Sequence, residues 1–154
     1  MLVHFLSQIL SQFKFHLSFY LSPWQYAVIM NEQIASLRKN IESIYSQQTQ
    51  PSQNPNPSPI TEEEQQKIQD VIALLDCGQL RVCEKINSEW KTQEWVKKAI
   101  LLYFKIQKIS LLEAGDFNFL DKIPIKKWTG KENIRSVPMA IVRKGAFIEP
   151  QSIL

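Results

Sequence analysis

Four prolines, Pro51, Pro55, Pro57 and Pro59, fall within the run QQTQPSQNPNPSPI over 47–60. Proline fixes φ and lacks an N–H, so no helix or sheet ladder crosses such a run, and it reads as an extended linker. The chain must therefore build its elements separately on either side. Before the linker, Ile34, Leu37, Ile41, Ile44 and Tyr45 recur at helical spacing. That predicts one amphipathic helix over 31–47. After it, Thr61-Glu62-Glu63-Glu64 fits a capping box, and Ile68, Val71, Ile72, Leu74 and Leu75 form an apolar stripe. A second helix over 62–76 follows, with Gly78 placed for a left-handed C-terminal cap.

Beyond that helix, RVCEKI (81–86) and EWK (89–91) alternate around Asn87-Ser88. This predicts a β-hairpin, although Asn-Ser is a weaker turn than Asn-Gly. Thr92 is placed to cap a third helix over 93–106, with Trp95, Val96, Ala99, Ile100, Leu102 and Tyr103 largely buried. Residues 107–121 read as irregular, with Gly115 at a turn. The residue pattern is thus that of a mainly α chain with a small β-hairpin.

Scarcity excludes several functions. The four glycines, Gly78, Gly115, Gly130 and Gly145, are too far apart for a P-loop or a dinucleotide fingerprint. The two histidines, His4 and His16, leave everything after residue 16 without the usual general base or the commonest metal ligand. Cys77 and Cys83 alone make neither a zinc site nor a disulfide framework. They read as small packed groups in a reducing compartment. No metal site is expected. The net charge of +3 is too mild to imply nucleic acid. It is unevenly spread, at +1 over residues 1–60, −3 over 61–121 and +5 over 122–154.

Residues 1–29 are greasy but interrupted by Ser, Gln, Lys14 and both histidines. A spanning helix needs about 20 mostly apolar residues, and a secretory signal a clean apolar run and a cleavage site. The segment fits neither. It reads either as a membrane-surface anchor or as sequence outside the mature protein. Translation beginning at Met30 is the reading adopted here, with 1–29 as an extension.

The last stretch has a period of its own. Val142, Ile148 and Leu154 are six residues apart, and small residues, Ala146 and Ser152, follow the first two by four. Such a hexapeptide pattern suits a left-handed parallel β-helix, in which each short strand turns one aliphatic side chain inward. On the pattern alone, an ordinary amphipathic strand is the preferred reading.

Four blocks carry a resemblance. They are VIALLDCGQLRVCEKI (71–86), W-x-T-x-x-W-x-K-K-A-I-L-L (Trp90 to Leu102), F-L-D-K-I-P (Phe119 to Pro124) and R-S-V-P-x-x-x-V-R-K-G-A-F-I (Arg135 to Ile148). In order and spacing they resemble the tetrahydrodipicolinate N-succinyltransferases, and helix 31–47 extends the likeness to Met30. The resemblance implies an α+β helical N-terminal domain over 30–134. The first, incomplete coil of a left-handed parallel β-helix would then occupy 135–154. It implies a cytoplasmic homotrimer with active sites between neighbouring β-helices. The implied reaction moves a succinyl group from succinyl-CoA, a co-substrate, to L-tetrahydrodipicolinate on the diaminopimelate route to lysine.

One site residue follows from the resemblance, the substrate-binding Arg135 in Ile134-Arg135-Ser136-Val137-Pro138. A guanidinium matches a dicarboxylate bidentately. By composition alone Arg135 is a solvated residue of a basic tail. Lys126, Lys127, Arg143 and Lys144 lie nearby in sequence without an implied role. No catalytic residue and no bound cofactor are expected in this chain, which would be inactive alone. Two other functions stand beside this one. They are a small helical binding module without catalysis, and a membrane-surface protein anchored by residues 1–29.

Overall fold

The computed structural model describes residues 22–49 and 57–154. The expectations for residues 1–21 and for the middle of the linker lie outside the described residues. Two compact units are distinguished, one reaching Leu37 and the other covering Arg38–Leu154.

Helix α1 runs Pro23–Thr49, longer at both ends than the predicted 31–47. Its start is written in Ser22-Pro23-Trp24-Gln25. The Gln25 N–H donates to Ser22 Oγ (3.3 Å), and Gln25 Oε1 accepts from the Ser22 N–H (3.0 Å). This is the S-x-x-Q form of the capping box, with proline at the first helical position. Residues 23–29 are therefore helical and continuous with the segment after Met30, and no structural break falls at residue 30. At the other end Thr49 Oγ1 donates to Tyr45 O (2.7 Å), so helix replaces the first residues of the expected linker.

The second unit contains helix α2, Glu62–Asp76, and helix α3, Glu94–Ile106, packed on each other. The Thr61–Glu64 capping box forms as expected, and all five stripe residues of α2 are buried. Opposing them on α3 are Trp95, Val96, Ala99, Leu102 and Tyr103, whereas Ile100 is only half-buried. Ile41 and Ile44 of α1, Leu80 and Ile123 complete this core. Burying each large aliphatic side chain contributes about 1.5–3 kcal/mol, which is what holds such short elements together. The end of α1 is fastened by Gln48, which donates to Ser58 O (2.7 Å) and accepts from Lys105 Nζ (2.7 Å).

Thr92 does not cap α3. It is the last residue of strand β2, and the N-cap is Gln93, whose carbonyl accepts from Val96 N–H (3.0 Å) without a side-chain bond. The Gln93 side chain instead donates to Glu84 across the hairpin (3.0 Å). That hairpin pairs β1, Cys83–Ile86, with β2, Glu89–Thr92, in antiparallel register, Ile86 opposite Glu89. Neither cysteine is packed. Cys77, at the C-cap of α2, and Cys83, on β1, are both exposed.

Residues 107–121 are not irregular. Strand β3, Ser110–Ala114, pairs with β4, Phe117–Asp121, as a second hairpin. Its turn is Gly115-Asp116, with Gly115 at φ +64. A glycine at positive φ in the first central position suits a two-residue hairpin turn. The fold of the described residues is thus helical with two small antiparallel hairpins. None of these helices is long and apolar enough to cross a membrane.

After β4 the backbone turns at regular intervals. Residues 137–140, 143–146 and 149–152 each close a turn by an N–H donating to the carbonyl three residues back (3.1, 3.2 and 3.3 Å). The third residue of each has positive φ, at Met139, Gly145 and Gln151, and Asn133 stands one step earlier. Pro138 and Pro150 occupy the second position of two of them. Proline second and positive φ third is the type II pattern. The three turns rule out one amphipathic strand through 142–154. Ser136, Val142, Ile148 and Leu154, again six apart, are half-buried between the turns, as is Phe147. The chain returns on itself, Arg135 pairing in parallel with Ile153.

Asn87 and Ser88 both hold positive φ, 51° and 68°, as a type I′ turn requires. Serine bears a steric cost there that glycine does not. Ser88→Gly is expected to raise unfolding stability by about 1 kcal/mol in urea titration. A neutral or destabilising result would mean that β1–β2 is not under this strain.

Candidate functional site

The C-terminal end of α2 is where the helical pair meets the turning segment. The helix stops because Gly78 adopts φ +77, and Leu80 N–H then caps Leu74 O (3.1 Å). The Phe147 ring lies so close that a Cβ on Gly78 would be 2.8 Å from it. Arg81 also lies on that ring, its guanidinium 4.6 Å from the Phe147 centroid and 3.0 Å from Glu149. Gly145 is similarly tight, since a Cβ there would be 3.3 Å from Ile72.

Asp76, the last residue of α2, is the hub. Its carboxylate accepts from Gly145 N–H (2.7 Å) and pairs with Lys126 (3.0 Å). Lys126 Nζ also donates to Asp76 O (3.1 Å) and is itself mostly buried. An acid at a helix C-terminus opposes the helix dipole, and the lysine offsets this placement. Backbone bonds fix the same region. Lys126 N–H donates to Val142 O (2.7 Å) and Lys144 N–H to Pro124 O (2.8 Å). A further ion pair joins Arg143 to Asp121 at the end of β4 (2.6 Å). Burial, with the nearby negative charge of Asp76 second, raises the Tyr103 hydroxyl above its ordinary value.

Beside this hub an open cleft of about 320 Å³ is lined by Asp76, Lys126, Lys127, Trp128, Glu132 and Lys144, among others. Glu132 is occupied. Its carboxylate accepts from Thr129 Oγ1 (2.7 Å) and Thr129 N–H (3.0 Å). Those bonds hold it at about 2, well below the carboxylate range. Of the basic residues noted in the sequence, Lys126 and Arg143 are spent in ion pairs, while Lys127 and Lys144 remain exposed on the cleft. Among the described residues no acid pairs with either.

Arg135 lies elsewhere on this surface. Its backbone is fixed, the N–H donating to Ser152 O (3.0 Å) and the carbonyl accepting from Leu154 N–H (2.9 Å). Its side chain is exposed and has no ion-pair partner among the described residues. A guanidinium on a pinned backbone with no internal partner is able to take an external carboxylate. Among the described residues no cluster of three or more His, Cys, Asp or Glu is arranged to hold a metal. Sequence reasoning missed Asp76 and Trp128. The signal for Asp76 was present, since an acid in the last turn of a helix needs a tertiary partner. Trp128 had none.

Comparison with known proteins gives the class. Residues 36–106 match the family described as Tetrahydrodipicolinate N-succinyltransferase N-terminal. Relatives extend the likeness beyond the length of that match. The 2,3,4,5-tetrahydropyridine-2,6-dicarboxylate N-succinyltransferase of Sodalis glossinidius is 41% identical over 125 residues, covering 77% of this chain and 44% of its own length. The enzyme of the same name from Coxiella burnetii is 47% identical over 93 residues, 58% of this chain and 34% of its own. That of Dechloromonas aromatica is 39% identical over 124 residues, with shares of 77% and 44%. The chain therefore spans less than half the length of these relatives.

Two outcomes check the site. Asp76→Ala should cost about 2 kcal/mol in thermal or urea unfolding, because it strands the mostly buried Lys126 ammonium and the Gly145 N–H. An effect below about 0.5 kcal/mol would remove Asp76 as the hub. For Glu132 the folded value lies below the ordinary 4.5. Its contribution is therefore full above that value and lost as pH falls through about 2. A carboxyl carbon titration by NMR should give a midpoint near 2. A midpoint at the ordinary value would show that the Thr129 turn is open.

Proposed function

We propose that this chain is the N-terminal part of an acyltransferase that moves succinyl from succinyl-CoA to the amine of L-tetrahydrodipicolinate in lysine biosynthesis. In this reading residues 30–134 are the α+β domain and 135–154 begin a left-handed parallel β-helix. The observation that carries it is the return of the chain. Positive-φ residues recur every six positions from Asn133 to Gln151, the last three in closed turns, and Arg135 pairs in parallel with Ile153, eighteen residues on. Three six-residue sides make one triangular circuit, so this spacing supports a coil, and a closed one where the sequence suggested only part. The half-buried row Ser136, Val142, Ile148 and Leu154 would line its interior. The relatives' names supply the reaction, and their greater length would supply further coils and the CoA-binding surface between subunits of a homotrimer.

Arg135 would hold a carboxylate of the dicarboxylate substrate. Its place at the entry to the coil, with backbone bonds on both sides, fixes the root of the side chain while leaving the guanidinium open. Because the substrate carboxylate persists through the reaction, most of this binding is uniform between ground and transition states. The chain by itself holds no residue assigned to acyl transfer.

Two assays test the reading. The 154-residue chain alone should release no CoA from succinyl-CoA in the presence of tetrahydrodipicolinate. Robust substrate-dependent release would overturn the division of labour proposed here. In a chain of full family length, made by joining this sequence to the remainder of a relative, Arg135→Ala should chiefly raise KM for tetrahydrodipicolinate. The loss should be about 2–4 kcal/mol, with KM for succinyl-CoA nearly unchanged. Arg135→Lys should recover only part, since an ammonium lacks the planar fork. Equal loss for both substrates with a lowered Tm would make Arg135 a brace of the coil instead.

A further inference from the structure

We propose that the cleft formed by Lys127, Trp128 and Lys144 is a binding site for a small organic dianion, separate from the site of Arg135. The cleft, about 320 Å³, has room for a ring-sized body with two charged groups. Its floor is rigid, because Asp76, Lys126 and Gly145 are bound to one another and the backbones at 124–126 and 142–144 are joined by hydrogen bonds.

The charges of the cleft do not cancel locally. Lys126 is paired with Asp76, and Glu132, which its bonds from Thr129 keep ionised, adds one further negative charge to the wall. Lys127 and Lys144 keep their ammonium groups exposed on the same cleft, with no acid among the described residues paired to either. Lys127 and Lys144 come from stretches of the chain seventeen residues apart, and with Lys126 they outnumber the two carboxylates of the lining, Asp76 and Glu132, which leaves the concavity with a net positive charge. Trp128 is half-buried in the wall. Its exposed part offers an apolar surface for the body of the ligand. Ammonium groups are compact charges without the planar fork of arginine. They accept a phosphate monoester or a dicarboxylate alike, and the shared chemistry is two negative charges on an apolar frame.

The test uses the whole 154-residue chain, labelled with ¹⁵N, and two probes, phenyl phosphate and isophthalate. Trp128→Phe assigns the Trp128 indole N–H. Saturable movement of that resonance is expected with at least one probe, weakening as salt is raised. The probe that binds more tightly identifies the anion class. The double variant Lys127→Gln/Lys144→Gln, both positions exposed, should keep the spectrum of the fold and weaken binding by roughly tenfold or more, the factor corresponding to about 1.4 kcal/mol. No saturable movement with either probe would overturn the proposal. So would binding of unchanged strength in the double variant. Movement of other resonances without Trp128 would place anion binding elsewhere and count against it equally.

Discussion

The ion pair between Asp76 and Lys126 is the interaction on which the rest of this architecture depends. It links the end of a helix to a segment fifty residues later, and through Gly145 N–H to one twenty residues beyond that. Without it, the segment after the second hairpin would be tethered mainly by Ile123, the Phe147 contact and exposed pairs. Exposed ion pairs such as Arg81–Glu149 contribute little by themselves. A mostly buried lysine held by a carboxylate and a carbonyl is different, because removing one partner leaves a charge without solvent. The same pair lets the helix end on an acid, against the dipole.

The junction also explains the glycines that lie there. Gly78 must turn left to end α2 and must lack a side chain because the Phe147 ring occupies that space. Both demands arise from one close approach, between the helix end and the turning segment. Function in this protein, as proposed, begins where that approach ends. Arg135 stands at the entry to the six-residue turns, and the free lysines of the cleft stand beside the hub.

Much of the fold was legible in the residues. The capping box at Thr61, the stripe of α2 and the Asn87-Ser88 turn are local devices whose partners lie within a few positions. The errors had local signals too. Ser22-Pro23-x-Gln25 marks the true start of α1, and Gly115-Asp116 marks the second hairpin, whose strands were obscured by the sequence LLEAGDFNFLD lacking a clean alternation. The exposed cysteines are a different matter. Whether a small side chain is buried depends on what packs over it, and both thiols face outward, Cys77 beside the Phe147 contact and Cys83 on β1.

Helix starts and stops, the places where the chain must turn and the period of six in the last residues are all written in local stretches of the chain. These are properties of neighbouring residues: a missing N–H, a side-chain cap, a φ that only some residues tolerate at low cost. Folding in three dimensions is what sets Asp76 against Lys126, pairs Lys126 and Arg143 while Lys127 and Lys144 stay free of an ion pair, and lays Arg135 beside Ile153. Charge pairing across fifty residues leaves no periodic trace in a sequence, because it depends on distance in space, and that distance is fixed only once the apolar faces of α2 and α3 have closed on each other.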